Sequence, residues 1–291
     1  MAISVLAGVF TGNNQSGKGR LVALGSTPRY NRFPSKLMLS MGIHQDLSSA
    51  TVYSSLTADA TLILFRSPLP SLVLPEYSGN FLQITNRKGS SSELDVNSFS
   101  PYGFNNMATS MLAVAPWKGS EYRVSFRDIF LTKWISIIDK KLPSEAKRDG
   151  EPLLTWEMWP TNVSGLSSTK CYLRIHQPLD IELHCWPDYK ASITYHVYLY
   201  LDGNDKVCAS VARSDYWIES GAKHSDIKAQ LAPAVKSGQA TLNAELDKKL
   251  DEFKNLTFSE IYFLPGKQTS RPPTGVLLGS TFSDVTIVLV F

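Results

Sequence analysis

The sequence predicts a mostly β protein in two domains: an N-terminal Greek-key sandwich over residues 1–116, then an α+β domain with an antiparallel sheet over 117–291. Three observations predict it. Polar turn signals and short apolar runs recur through residues 1–115 with a period near sixty residues. That recurrence stops at Pro116, and helical periodicity follows at Arg127–Lys141. The second half then alternates strictly over Ile193–Leu201 and ends each run on strong turn residues. A chain of 291 residues is long for a single core, so two domains is the natural expectation.

In the first half, Ile3–Phe10 reads as a strand and Thr11–Gly19 as a polar, glycine-rich loop. Arg20–Leu24 resumes as a strand. Ser35–Met41 is a short apolar-polar stretch, and Ala50–Ser54 is a further strand. The cycle then repeats through Thr61–Phe65, a turn at Pro75–Asn80, Phe81–Thr85 and Met111–Ala115. Ser16-Gly17 matches Ser78-Gly79 at an offset of 62, and Ser48-Ser49 matches Thr109-Ser110 at 61. Two landmarks at nearly constant spacing indicate a duplicated unit, and four short strands with long turns fit a Greek key.

The second landmark belongs to a hexad. Asn105-Asn106-Met107-Ala108-Thr109-Ser110 is a run of side-chain oxygens entering an apolar strand, echoed by His44-Gln45-Asp46-Leu47-Ser48-Ser49. With the glycine hairpin Tyr77-Ser78-Gly79 and the duplication, these residues make positions 1 to about 116 resemble a βγ-crystallin domain. That family carries two Asn/Asp, any two residues, then Ser/Thr and Ser, and the second hexad matches fully.

The resemblance implies a calcium ion, with Thr109 giving a hydroxyl and Asn106 a carbonyl oxygen to one site. The hairpin backbone of the opposite Greek key would complete that site. Asn105 and Ser48 complete the candidate metal residues. The chemistry agrees independently, since calcium takes amide, hydroxyl and carbonyl oxygens. The first hexad departs from the pattern: His44 and Gln45 replace the two Asn/Asp, and imidazole is a poor calcium ligand. Few carboxylates sit in either loop, so affinity is expected to be modest. The plain alternative is that both hexads only close Greek-key turns, their hydroxyls bonding backbone.

Pro116–Tyr122 reads as a linker. Arg127–Lys141 is a helix, with Phe130, Trp134, Ile137 and Ile138 on one face and Ser125 or Asp128 as its cap. Pro143–Pro152 is a charged loop, and Trp156–Thr169 is expected to be irregular. Lys170–His176 and Ile181–Trp186 flank Gln177-Pro178-Leu179-Asp180, a hairpin candidate. A hairpin centred there sets Cys171 opposite Cys185; the alternative is two small buried hydrophobes. Ile193–Leu201 turns at Asp202-Gly203-Asn204-Asp205 into Lys206–Val211. Ser225–Asn255 is helical, capped by Ser225, apolar along Leu242, Leu246, Leu250 and Phe253, and kinked or divided at Pro233 and Ser237-Gly238. Ile261–Leu264 is a strand, Pro265–Pro273 a loop, and Val285–Phe291 a continuous apolar strand expected at a sheet centre.

The composition narrows function by exclusion. Net charge is only +3 without a dense Lys/Arg run, so nucleic acid is not an expected partner. No apolar run reaches the roughly 18 residues of a membrane span, so a membrane is not indicated. The N-terminus lacks the charged front of a secretory signal, which points to the cytoplasm or to non-classical export. Three cysteines argue against a disulfide scaffold.

No phosphate loop, His-Glu-x-x-His motif or nucleophile elbow is present. His176, His184, Cys185 and His196 match no compact zinc pattern, and no catalytic residue is assigned. Trp156, Trp159 and Trp186 with Tyr189 offer a sugar platform or, more simply, core packing. The expected function is non-enzymatic: a calcium-binding interaction protein with a protein or glycan partner. One alternative is a bacterial toxin or effector, because crystallin-like domains occur in such proteins. The other is a hydrolase in the second domain.

Overall fold

The computed structural model describes residues 5–24, 30–66, 79–116, 120–158, 171–184 and 186–291. Cys185, Trp159, most of the hairpin turn at 75–78 and part of the expected linker (117–119) lie outside the described residues. The chain divides into two compact units. One is Met1–Glu121 with Ser270–Thr281, and the other is Tyr122–Thr269 with Phe282–Phe291.

The first unit holds strands β1 (Val5–Phe10), β2 (Gly19–Ala23), β3 (Tyr30–Phe33), β4 (Ser49–Val52), β5 (Ala60–Arg66), β6 (Asn80–Asn86), β7 (Leu94–Val96) and β8 (Ser110–Val114). One sheet runs β2-β1-β4-β7 and the other runs β6-β5-β8-β3. The order is that of two Greek keys, each giving its third strand to the other's sheet: β3 pairs β8, and β7 pairs β4. Exchange means neither half can bury its apolar face alone. Their shared core includes Val9, Val22, Ala50, Val52, Leu62, Leu64, Leu82, Ile84 and Met111.

The stretch Ser35–Met41 is a helix, α1, ending at Gly42. Its counterpart is a short 3₁₀ turn, Ser100–Tyr102, ending at Gly103. Both glycines are left-handed, with φ of 66° and 68°, a conformation that strains a side chain. The next amide closes the same bond in each motif: Ile43 N–H donates to the Met38 carbonyl, and Phe104 N–H to the Phe99 carbonyl, each at 3.1 Å.

A further strand joins this unit from far along the chain. Gly275–Ser280 pairs antiparallel with β6, Gly275 opposite Thr85 and Ser280 opposite Asn80. Residues 270–281 were expected in the second domain, the first of them within the loop Pro265–Pro273. The buried Asp59 carboxylate draws them here: it accepts from the Arg271 guanidinium, Nε at 3.0 Å, and from the Lys88 amide at 2.8 Å.

The second unit begins with β9 (Glu121–Ser125), a π-helical turn Arg127–Leu131, and α2 (Thr132–Lys141). Ser125 Oγ accepts the Asp128 amide at 3.1 Å, and Asp284 accepts the Arg127 amide at 2.9 Å, which satisfies the helix start. Then follow β10 (Ala146–Arg148), β11 (Leu153–Met158), β12 (Cys171–Ile181), β13 (Tyr189–Leu201), β14 (Val207–Ile218), α3 (His224–Leu250) and β15 (Glu260–Pro265). With Gly275–Ser280 counted as β16, the last strand is β17 (Val285–Val290). β17 lies between β15 and β9, central as its unbroken apolar run requires.

The larger sheet orders β10-β12-β13-β14, with β11 also on β12. Ile193, Tyr195, Val197, Leu199 and Leu201 are all buried, as the alternation predicts. The turn after them is held by Asp202, whose Oδ1 accepts the amides of Asn204 and Lys206 at 2.8 and 2.9 Å.

Four expectations are corrected. Gln177-Pro178-Leu179-Asp180 is no hairpin: β12 runs straight through it, and Cys171 is opposed by Leu199 and Met158. Pro178 is tolerated because β10 ends opposite Leu179 and β11 starts opposite His176, leaving a gap on that edge. Trp156–Met158 are strand, not irregular. α3 is one helix through Pro233 and Gly238, and its N-cap is Lys223, not Ser225. Gly238 marks contact instead of a break, since a Cβ there would meet the Tyr195 hydroxyl at 2.4 Å. That hydroxyl donates to the Val235 carbonyl at 3.0 Å.

Candidate functional site

The two hexads meet across the interface of the Greek keys. Gln45 N–H donates to the Ala108 carbonyl and Asn106 N–H to the Leu47 carbonyl, both at 2.9 Å. Each bond is the other's image at an offset of 61 residues. Gln45 and Asn106 share a left-handed backbone, φ 53° and 54°. Asparagine tolerates that conformation better than most residues, which gives the second hexad's amide a local reason beyond ligation. The bases of the loops repeat the symmetry: Ser48 N–H donates to the Phe10 carbonyl at 2.9 Å, and Thr109 N–H to the Phe65 carbonyl at 2.8 Å.

This exchange decides which candidate residues come together. Ser48 Oγ donates to Asn106 Oδ1 at 3.0 Å, from the other loop. The Thr109 hydroxyl donates to the Phe65 carbonyl at 3.0 Å. The structure therefore pairs Asn106 with Ser48, 58 residues away. Asn105 Oδ1 is buried without a hydrogen-bond partner. Asp46, the one carboxylate of the hexads, is exposed.

The first hairpin folds over the same corner. Ser49 Oγ donates to the Gly12 carbonyl at 2.6 Å and accepts the Gln15 amide at 3.1 Å. The hairpin residues Asn14, Gln15 and Gly17 all have positive φ. Asn14 N–H donates to the Asn97 carbonyl at 2.8 Å, which ties this hairpin to the segment after β7. Among the candidate oxygens, the Ser48 hydroxyl and the Asn106 amide oxygen meet across the two motifs, a pair of hard, uncharged donors.

His176 and His196 belong to the second unit. His176 and His196 share one face of the larger sheet. His176 Nδ1 is 2.9 Å from Thr194 Oγ1, and His196 Nε2 is 3.0 Å from Asp215. Burial holds both imidazoles below their ordinary pKa, with Arg174 adding to it; for His196, Asp215 opposes the shift. His184 lies beyond β12, outside that pair. Cys208 is half-buried on β14, and burial raises its thiol pKa, the opposite of the shift that activates a cysteine. Among the described residues no three of His, Cys, Asp and Glu are grouped to hold a metal ion. No described helix is long and apolar enough to cross a membrane.

Sequence reasoning missed the Ser48–Asn106 contact and the Asp59–Arg271 pair. Both join positions whose separation carries no periodic signal.

No protein-family model matches the chain. No curated protein matches it either. Among solved structures the chain is similar to one described as "Evolution of the eye lens beta-gamma-crystallin domain fold", at 14% identity and a TM-score of 0.26. The match spans 39% of this chain and 89% of that one. A likeness of that size carries no weight on function. The Greek-key assignment stands on the strand order and the exchanged third strands.

Proposed function

We propose that the protein is a non-enzymatic binding protein whose Greek-key unit takes a calcium ion between its two hexads. The observation that carries the proposal is the Ser48 hydroxyl meeting the Asn106 amide oxygen from the opposite motif at 3.0 Å. Asn105, the preceding residue in the chain, has a buried Oδ1 without a hydrogen-bond partner, an oxygen that a cation or an ordered water would satisfy. Ser48, Asn106 and Asn105 would hold the ion, and it would supply cross-linking of the two keys instead of catalysis. The donors are neutral, so the site suits a hard cation bound weakly.

Calcium binding the native state alone raises stability by mass action, about 1.4 kcal/mol at ten times Kd. Thermal melting against calcium is the direct test. The wild type should gain roughly 3–5 °C at saturating millimolar calcium. Asn106→Ala and Ser48→Ala should lose the gain, and magnesium should not reproduce it. A melting temperature independent of calcium in the wild type sinks the reading.

A further inference from the structure

A pocket of about 290 Å³ opens in the second unit, at the start of α3 and beside the loop that joins β12 to β13. Its floor is apolar, made by the buried side chains of Ile181, Ile227 and Leu231. Its rim holds Trp186, 47% exposed, and a mixed polar set of Glu145, Asp226, Lys223, Gln230 and His184. The size is at the lower end of small-molecule sites, about 300–1,000 Å³.

The pocket is built in advance. Lys223 N–H donates to the Tyr189 hydroxyl at 3.2 Å. The Lys223 ammonium sits 5.2 Å from the Trp186 ring centre and 2.9 Å from the Asp226 carboxylate. These contacts hold the indole, the ammonium and the carboxylate in one place before any ligand arrives.

The charge pattern selects the ligand. An anion would face Glu145 and Asp226. A cation would have to displace Lys223 from both the indole and Asp226. A neutral ring rich in hydroxyls need not displace Lys223: its hydroxyls donate to the carboxylates and accept from Lys223 and Gln230, and its C–H face packs on the part of the indole that is left exposed. Glu145, Pro143 and Gln230 also line a shallower groove that continues past Lys141, Ser144 and Ser237. That groove gives room for units beyond the first ring.

We infer that this pocket binds the end of a neutral oligosaccharide, one pyranose ring against Trp186 and the next along the groove. The site is separate from the hexads and independent of the calcium reading. The test is therefore run on the full chain with a chelator present, so a failure here leaves the calcium reading untouched. The probes are an array of neutral hexose and N-acetylhexosamine oligosaccharides, then calorimetry with the best binder.

The wild type should bind at least one neutral glycan. Trp186→Ala and Gln230→Ala should each weaken it by at least about tenfold, while melting as the wild type does. Trp217→Ala, an exposed indole on β14, should leave affinity within about twofold. The inference is overturned by no neutral glycan binding, by binding that survives Trp186→Ala, or by preferred binding of sulfated glycans or choline.

Discussion

His176 and His196 are the residues whose charge the fold opposes most plainly. Both imidazoles are held neutral by burial, with the Arg174 guanidinium pushing the same way. The unfolded chain takes up protons near the ordinary value of 6.5, whereas the folded chain does so only at lower pH. The stability from keeping them neutral is therefore whole above about pH 6.5 and is lost as pH falls through the folded pKa. The wild type should hold its melting temperature down to about pH 6.5 and lose it steadily as pH falls further. His176→Gln keeps a polar group near Thr194 without a titratable ring, so its profile should be flatter. Parallel wild-type and variant profiles would mean His176 contributes nothing to the slope.

The residue scale also shows what a hexad can and cannot tell. Asn105, Asn106, Thr109 and Ser48 were legible as oxygen donors from residue type alone. Which of them meet was not legible. Ser48 and Asn106 sit on different loops, and their contact depends on the way two Greek keys pair.

At the scale of elements, α3 is the part that sequence rules misread. Proline and glycine inside a helical pattern predict a kink or a division. α3 is not divided and runs continuously for 27 residues. Its inner face, Ile227, Leu231, Val235, Leu242 and Leu246, is buried, and that burial outweighs the single hydrogen bond that Pro233 removes. Gly238 is the point of closest approach to the sheet. Trp134 packs edge-on to Tyr195 in the same region, ring centres 6.2 Å apart.

Gly238→Ala is expected to destabilise the protein by about 1–3 kcal/mol in urea unfolding, although alanine is the better helix former. The new methyl collides with the Tyr195 hydroxyl, which lies 2.4 Å from its position. Tyr195→Phe removes that hydroxyl and should recover part of the loss, so the two substitutions should be non-additive. Additive effects would place the cost in the helix itself.

The hairpin expected at 177–180 fails for a related reason. A proline flanked by polar residues resembles a turn locally. In β12 it is accommodated by a gap between two separate edge partners, β10 and β11. No local pattern records where a partner strand stops.

At the scale of the whole molecule, the chain leaves the first unit after Glu121, returns at Ser270 and leaves again after Thr281. A chain cut at residue 121 therefore lacks the edge strand β16 and the partner of Asp59. That carboxylate is fully buried, and its guanidinium partner is 40% exposed. Arg271→Ala should cost about 1–3 kcal/mol, the penalty for leaving the buried carboxylate short of a hydrogen-bond partner. A fragment of residues 1–121 should melt well below the same fragment with residues 270–281 attached through a flexible linker. Equal melting temperatures would show that β16 adds nothing to the first unit.

Periodicity and turn chemistry by themselves determined the duplicated first half, most strands, both long helices, the Asp202 turn and the central place of β17. These features are local: each depends on the spacing of apolar residues within one element and on the residue types that close it. The duplication was legible because two motifs of one chain repeat the same spacing. Only the tertiary structure decided the exchange of third strands, the pairing of Ser48 with Asn106, the return of residues 270–281, and the pocket around Trp186. Each joins residues far apart in the chain, and the energy that joins them, core burial and satisfaction of buried polar groups, exists only once the elements are packed.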